Sequence, residues 1–136
     1  MQWFEDPERF IRRCHDLLTP GGILALSTFG PDNLHEVKDI TGSGLEYPSV
    51  HQLGRMLSDA GLETLLLHDE RIVLNFSSAT DILRHLKHTG VTGIVRTHWT
   101  PGRLADFSTE YSSRYGAGDG SVPLTYHPVY IIAKKD

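Results

Sequence analysis

The sequence lacks the features that mark several broad classes of protein. Cys14 is its only cysteine, so no internal disulfide can form, which fits a reducing cytoplasm. No apolar run approaches the ~20 residues of a membrane-spanning helix, and no signal-peptide pattern opens the chain. The formal net charge is -4, whereas nucleic-acid binding needs a basic face. We therefore expect a cytoplasmic protein that binds neither nucleic acid nor membrane.

Motifs for metal binding and hydrolysis are also missing. The chain has 8 histidines, and His85 and His88 lie one helical turn apart with Asp81 one turn earlier. No second ligand pair is spaced to complete a zinc site with them. No Gly-x-Ser-x-Gly elbow is present for a hydrolase nucleophile. The sequence therefore predicts no metal centre.

The chain is organised around a helix, a turn and a strand near its amino end. A helix is predicted over 7–18, and Pro20-Gly21-Gly22 ends it and reverses the chain. Ile23–Leu26 is an apolar run of strand length, which predicts a strand covered on both faces. This order predicts an α/β protein with a mostly parallel sheet. Ligands bind beyond the carboxyl ends of such strands, here at Ser27–Asn33.

The rest of the chain predicts further helices and strands in one domain over residues 1–136. Ser49 begins one helix, Ser77 or Ser78 begins a second, and Thr100-Pro101 begins a third. Residues 62–76 form either a hairpin or one long strand that is bent or bulged at its charged middle, and we prefer the long strand. The final strand is Leu124–Ala133.

Two groups on these elements have both a chemical and a structural interpretation. Lys87 follows Leu83 by one helical turn, beside Arg84, and so borders the buried stripe of its helix. It either binds a carboxylate or phosphate, or lays its aliphatic stem along the core edge. Tyr126 and His127, at the start of the final strand, pose the same choice between packing and binding.

Four segments, in order, resemble one protein family. They are Gln2-Trp3, Leu18-Thr-Pro-Gly-Gly-Ile-Leu-Ala-Leu-Ser-Thr-Phe-Gly-Pro-Asp-Asn-Leu34, Leu83-Arg-His-Leu-Lys-His-Thr-Gly-Val91 and Leu124-Thr-Tyr-His-Pro-Val-Tyr-Ile-Ile132. Together they resemble the malonyl-[acyl-carrier-protein] O-methyltransferases of biotin synthesis, which are class I enzymes dependent on S-adenosylmethionine. The last two segments are the more specific, and the likeness covers essentially the whole chain.

The resemblance implies a fold that this chain carries only in part. Members of the family have about half their length before the Gln-Trp pair, including a glycine-rich turn and an acidic residue for the cofactor ribose. Neither feature is present here. The chain thus resembles the carboxyl-terminal half of a Rossmann-like sheet, with about three strands and covering helices. The last strand, Leu124–Ala133, is then antiparallel and lies between Ile23–Leu26 and the 62–76 region, and residues of about 77–115 form a substrate-covering insertion.

The resemblance also implies a reaction and a set of site residues. The family moves a methyl group from S-adenosylmethionine to the free carboxylate of malonyl-acyl carrier protein by in-line displacement. Substrate-binding roles then fall on five residues, with Lys87 on the malonyl carboxylate or carrier arm: Lys87, Arg84, Tyr126, Ser27 and Thr28. Trp3 borders the cofactor.

Because the amino-terminal half of the family's fold is missing, we expect little activity from the chain alone. Aligning two reactants contributes roughly 7–11 kcal/mol only when both are held. We therefore expect weak cofactor binding and negligible turnover until an amino-terminal half chain, or a second copy through the exposed sheet edge, completes the fold. The chain is then either a truncated enzyme or one half of a split enzyme, and the alternative is a non-catalytic module that binds acyl carrier protein.

Overall fold

The computed structural model describes residues 5–91 and 98–136, which form five helices and five strands. In chain order these are α1 (Pro7–Leu17), β1 (Ile23–Phe29), α2 (His35–Thr41), α3 (Val50–Asp59), β2 (Leu62–Asp69), β3 (Ile72–Phe76), α4 (Ala79–His88), α5 (Pro101–Tyr115), β4 (Val122–Tyr126) and β5 (Pro128–Lys135). No helix among the described residues has the length and apolar character to cross a membrane.

The described residues divide into two compact units. The first unit comprises residues 5–33, 46–71 and 127–136, and the second comprises residues 34–45, 72–91 and 98–126. The assignment of the whole chain to one domain, with an insertion at about 77–115, stays a prediction.

The first unit contains a three-stranded sheet in the order β1-β5-β2. β5 is antiparallel to both neighbours, with Ala25 opposite Ile132 on one side and Leu66 opposite Ile132 on the other. This confirms the expectation of an antiparallel last strand between two others. The mostly parallel sheet predicted from the Pro-Gly-Gly pattern is wrong for the described strands, because β5 separates β1 from β2, which run parallel to each other.

Local sequence signals explain where the helices of the first unit begin. The Asp6 carboxylate accepts the Arg9 N–H at 2.9 Å, and Pro7 occupies the first turn of α1. Ser49 and Gln52 form a reciprocal capping box at the start of α3. Both helices bury apolar residues against one face of the sheet, and the fully buried members of this core include Ile11, Leu53, Leu57, Val129 and Ala133.

The other face of this sheet is open. β1 was predicted to be covered on both faces, but its side chains alternate: Leu24 and Leu26 are half-buried, whereas Ile23 is 51% exposed and Ala25 is also exposed. The prediction of a doubly covered strand is therefore wrong for the described residues, because α1 and α3 both pack on the same side.

The second unit pairs β3 with β4 in an antiparallel two-stranded sheet, with Ile72 opposite Tyr126 and Phe76 opposite Val122. Its core is formed by residues of α2, α4, α5 and β4, including the fully buried Val37, Ile82, Leu86, Tyr111 and Leu124.

Two strand boundaries differ from the sequence prediction. The hairpin alternative for 62–76 is wrong, because β2 pairs with β5 and β3 pairs with β4. The preferred single strand is wrong as well, because the chain is divided at Glu70–Arg71 into two strands of different sheets. The predicted strand Leu124–Ala133 is two strands, β4 and β5, which end and begin on either side of His127.

Candidate functional site

A cluster of polar side chains lies at the carboxyl end of β1 in the first unit. His127 is at its centre and is only 2% exposed. Its Nε2 lies 2.7 Å from the Asp69 carboxylate, and its Nδ1 accepts the Asp32 backbone N–H at 3.1 Å. Arg71 completes what we call the His127 cluster: His127, Asp69, Asp32 and Arg71.

These contacts fix the tautomer of the neutral imidazole ring. Since Nδ1 accepts a backbone N–H, the neutral ring carries its proton on Nε2 and donates it to Asp69. The hydrogen bond from His127, aided by the nearby Arg71 charge, lowers the pKa of Asp69 below its usual value. Asp69 is therefore a carboxylate at neutral pH and holds the ring in one tautomer.

Arg71 connects the two carboxylates of the cluster on its outer side. Its Nε and Nη2 lie 2.9 Å and 2.8 Å from the Asp32 carboxylate, and its Nη1 lies 3.3 Å from Asp69. Half of the side-chain surface of Arg71 and of Asp32 is exposed. Exposed pairs of this kind contribute about 0.2–1 kcal/mol, so the pair orients these groups more than it stabilises the fold.

Backbone hydrogen bonds attach the segment Gly30–Asn33 to the same histidine. Gly30 N–H donates to the His127 carbonyl at 2.7 Å, and His127 N–H donates to the Asn33 side-chain oxygen at 3.0 Å. A Cβ at Gly30 would collide with the His127 ring. The absence of a side chain at Gly30 therefore lets the segment and the ring approach this closely.

Sequence reasoning missed this cluster although its parts were in view. His127 lies in the Leu-Thr-Tyr-His segment that carries the family resemblance, but the predicted substrate-binding residues include only its neighbour Tyr126. Asp69 and Arg71 were interpreted only as the charged middle of a strand. Asp69 is the last residue of β2, Arg71 directly precedes β3, and His127 separates β4 from β5, so all three lie at strand ends.

The predicted site residues Ser27 and Thr28 lie on β1 in the first unit. Ser27 is exposed, whereas Thr28 is buried at 4% exposure. Successive side chains of a strand point to opposite faces. Ser27 therefore lies on the open face and Thr28 on the face that α1 and α3 cover, so the two hydroxyls do not line one surface.

Arg84 and Lys87 lie on the exposed side of α4 in the second unit. Their spacing places them on neighbouring turns of one helix face. Arg84 pairs with Asp81 at 2.7 Å. Lys87 makes no ion pair within the described part of the chain, so it is the freer of the two cations.

Tyr126 contacts α4 through His85. Its hydroxyl lies 2.9 Å from His85 Nε2, and the two rings meet edge to face at 6.1 Å between centroids. Burial raises the pKa of Tyr126, so its hydroxyl stays protonated at neutral pH. The structure thus brings Tyr126 to the helix that carries Arg84 and Lys87.

The second unit also contains a buried carboxylate that the sequence did not indicate. Glu36 is 2% exposed, and its carboxylate accepts the backbone N–H of Thr125 at 3.1 Å and the Thr125 hydroxyl at 2.5 Å. His35 Nε2 lies 3.3 Å from the same carboxylate. These bonds attach α2 to β4, and they give Glu36 a structural role.

Trp3, which the resemblance places beside the cofactor, lies outside the described residues. Within residues 5–91 and 98–136, no group of three or more histidine, cysteine or acidic side chains could hold a metal ion.

The chain has relatives among curated proteins of known name. No family model matches the chain. It is 49% identical over 135 residues to the malonyl-[acyl-carrier protein] O-methyltransferase of Porphyromonas gingivalis, covering 98% of the chain and 52% of that protein. It is 42% identical over 134 residues to the protein of the same name in Haemophilus influenzae, covering 98% of the chain and 51% of that protein.

Solved structures agree on the fold. A candidate methyltransferase of Bacillus halodurans matches with a TM-score of 0.61 at 19% identity, covering 98% of this chain and 60% of that one. The YcgJ protein of Bacillus subtilis matches with a TM-score of 0.54 at 15% identity, covering 98% and 59%. The predicted family resemblance and the α/β methyltransferase fold are confirmed. The chain spans about half the length of these two curated relatives. This agrees with the predicted resemblance to one half of such an enzyme.

Proposed function

We propose that this chain, a homologue of the malonyl-[acyl-carrier protein] O-methyltransferases along nearly its whole length, forms the carboxyl-terminal half of such an enzyme. The complete enzyme would methylate the free carboxylate of malonyl-acyl carrier protein in biotin synthesis, in the cytoplasm, with S-adenosylmethionine as methyl donor. The observation that carries the proposal is 49% identity over 98% of the chain to a relative of which the chain covers 52%.

The open sheet of the first unit supports completion by a second polypeptide segment. β1 pairs only with β5, so its other edge has no strand partner among the described residues. On the open face, the strand register places Ala25 of β1, Ile132 of β5 and Leu66 of β2 side by side. Ile23 and Leu66 are 51% and 43% exposed, and Tyr130 is 39% exposed. Large apolar side chains grouped in this way mark an interaction surface.

The described residues do not fit the cofactor by themselves. A ribose-binding acid needs a carboxylate free to accept hydroxyl groups, but Asp32 is held by Arg71, and Asp69 is held by His127 and Arg71. The sequence also has no glycine-rich turn after a strand. We therefore assign cofactor binding mainly to the other half of the enzyme, with Trp3 as the contribution of this chain.

The proposed substrate-binding cations lie on α4. Acyl carrier protein is acidic by the family resemblance, and a chain of net charge -4 needs a local basic surface to bind it. We assign Lys87 to the malonyl carboxylate or the carrier arm because it has no ion-pair partner among the described residues. Arg84 is a weaker candidate since Asp81 holds it. Tyr126, Ser27 and Thr28 are further candidate substrate contacts.

The first test is reconstitution of activity. The chain is mixed with the amino-terminal half of the Porphyromonas gingivalis relative, and transfer of a radiolabelled methyl group to malonyl-acyl carrier protein is measured. We expect turnover from the mixture and negligible turnover from either half alone. Normal turnover by this chain alone would contradict the assignment of cofactor binding to the other half. Carrier-protein binding without turnover in the mixture would favour the non-catalytic module.

The same assay tests Lys87. A charge-assisted contact is worth about 1.5–3 kcal/mol, so Lys87→Ala should raise KM for malonyl-acyl carrier protein about 10- to 100-fold. KM for S-adenosylmethionine should stay unchanged. Arg13→Ala, which removes an exposed cation from α1, is the matched control. Equal increases in both KM values would remove Lys87 from the substrate site.

A further inference from the structure

We propose that His127 is a positioning residue, which fixes the segment Gly30–Asn33 at the carboxyl end of β1 and thereby aligns the reactants for methyl transfer. This inference rests on the proposed function and assigns a role to a residue outside the predicted site.

The ring of His127 is held from two opposite sides. Asp69, at the end of β2, accepts from Nε2 at 2.7 Å, and the Asp32 backbone N–H donates to Nδ1 at 3.1 Å. The backbone of His127 adds two more bonds, to Gly30 at 2.7 Å and to the Asn33 side chain at 3.0 Å. A single buried residue therefore bonds to three of the four positions in the segment.

The same contacts argue against direct chemistry by the ring. A general base needs a nitrogen that can reach the substrate, and both nitrogens of His127 are occupied by Asp69 and Asp32 in a ring that is 2% exposed. Asp69 instead fixes the tautomer that leaves Nδ1 as an acceptor, as carboxylate partners of histidine commonly do.

The position of the segment Gly30–Asn33 explains why His127 should affect catalysis. Ligands of α/β sheets bind beyond the carboxyl ends of the strands, which for β1 is the segment Gly30–Asn33. Methyl transfer to a carboxylate depends mainly on alignment, and a misplacement of about 1 Å can cost about 100-fold in rate. A histidine that fixes the backbone of this segment would therefore affect kcat without contacting either reactant.

Two substitutions test the hydrogen bonds of the two ring nitrogens separately. His127→Asn places an amide oxygen near the position of Nδ1, so it can still accept the Asp32 N–H but loses the bond to Asp69. His127→Gln places an amide nitrogen near the position of Nε2, so it keeps the bond to Asp69 but loses the acceptor. In the reconstituted enzyme we expect kcat to fall about 100-fold for His127→Gln and less than about tenfold for His127→Asn, with KM for S-adenosylmethionine unchanged.

A matched control tests for loss of stability alone. Lys135 lies at the opposite end of β5, where its Nζ donates to the carbonyls of His15 and Leu18 at 2.9 Å and 3.0 Å. Lys135→Met removes bonds from the same unit without touching the His127 cluster. We expect the folded Lys135→Met enzyme to retain wild-type kcat.

A second measurement does not depend on activity. Amide hydrogen exchange in the full chain should show about tenfold faster exchange at Asp32 in His127→Gln, with the amides of β5 unchanged, because only the segment is released. His127→Asn and Lys135→Met should leave the Asp32 amide protected.

The outcomes distinguish the two proposals. If the wild-type pair transfers methyl groups and His127→Gln keeps wild-type kcat, the positioning role is wrong and the proposed function stands. If His127→Asn and His127→Gln lose kcat equally, the acceptor role of Nδ1 is wrong. If the folded wild-type pair transfers no methyl group, the proposed function fails and the positioning role fails with it.

Discussion

At the residue scale, polar side chains find partners far away in the sequence. The Tyr115 hydroxyl donates to the Asp39 carboxylate at 2.6 Å, across 76 positions, and Thr125 donates to Glu36 across 89 positions. Each bond satisfies a polar group that would be costly to leave unpaired on a half-buried or buried surface. These bonds connect α2 to α5 and to β4 in the second unit.

The Tyr115–Asp39 bond makes a prediction about pKa. The hydrogen bond to Asp39, together with the charge of that carboxylate, raises the pKa of Tyr115 from 10.0 to about 12. The bond therefore stabilises the fold fully below pH 10 and loses its effect as pH rises towards 12. Asp39→Asn should lower the pKa of Tyr115 towards 10, which a carbon-13 titration of labelled tyrosine would measure. Asp59→Asn on α3 should leave it unchanged, and an equal shift would contradict the assignment.

The sequence could not predict these residue-scale contacts, because each depends on the distance between two segments in the folded chain. Lys87 and Arg84 were identifiable as cations at the edge of a helix stripe, since helical spacing is local. His127 was identifiable only as a residue that either packs or binds, because nothing near it in sequence indicates Asp69 as its partner. Glu36 was not identifiable, because its partner Thr125 lies 89 positions away.

At the element scale, local signals set the helix starts. Asp6, Ser49, Ser78 and Thr100 each accept the N–H of the third residue that follows. The sequence predicted Ser49, Thr100 and either Ser77 or Ser78 as helix starts. α2 lacks a side-chain cap and is instead preceded by Leu34, whose φ of 55° is unusual for a residue other than glycine.

Removal of a cap should have a measurable cost. In α3, Gln52 N–H donates to Ser49 Oγ at 3.2 Å, and Ser49 N–H donates to Gln52 Oε1 at 2.8 Å. Ser49→Ala should lower the free energy of unfolding by about 1 kcal/mol, measured by urea denaturation. Ser58→Ala, at an exposed position of the same helix, should change it by less than about 0.5 kcal/mol. Equal losses would show that the capping box does not stabilise α3.

Strands were predicted less well than helices for a physical reason. Apolar runs showed that residues 62–76 and 124–133 are extended, but not which strand each pairs with. The divisions at Glu70–Arg71 and at His127 follow from the pairing of β2 with β5 and of β3 with β4, and from the bonds of His127. Only the family resemblance supplied the order β1-β5-β2.

At the scale of the whole molecule, the exposed face of the three-stranded sheet is the main departure from an ordinary α/β fold. Ile23, Leu66 and Tyr130 remain exposed because helices α1 and α3 cover only one side. An unpaired edge strand with such a face readily associates with another chain.

The open sheet predicts where a completing half would bind. Addition of the amino-terminal half of the Porphyromonas gingivalis relative should slow amide exchange in β1 by about tenfold or more, because the free edge gains a hydrogen-bonded neighbour. The amides of Leu53 and Leu57 in α3 serve as the control and should not change. Equal protection on raising the concentration of this chain alone would favour a homodimer through the same edge.

The lack of space for a side chain at Gly30 has an evolutionary consequence. The His127 ring occupies the volume that a Cβ at Gly30 would need, so a larger residue at position 30 is tolerated only after the ring has been lost. Substitution of His127 by a smaller residue removes that restriction. The two positions should therefore covary across homologous lineages, with glycine kept at position 30 wherever histidine is kept at position 127.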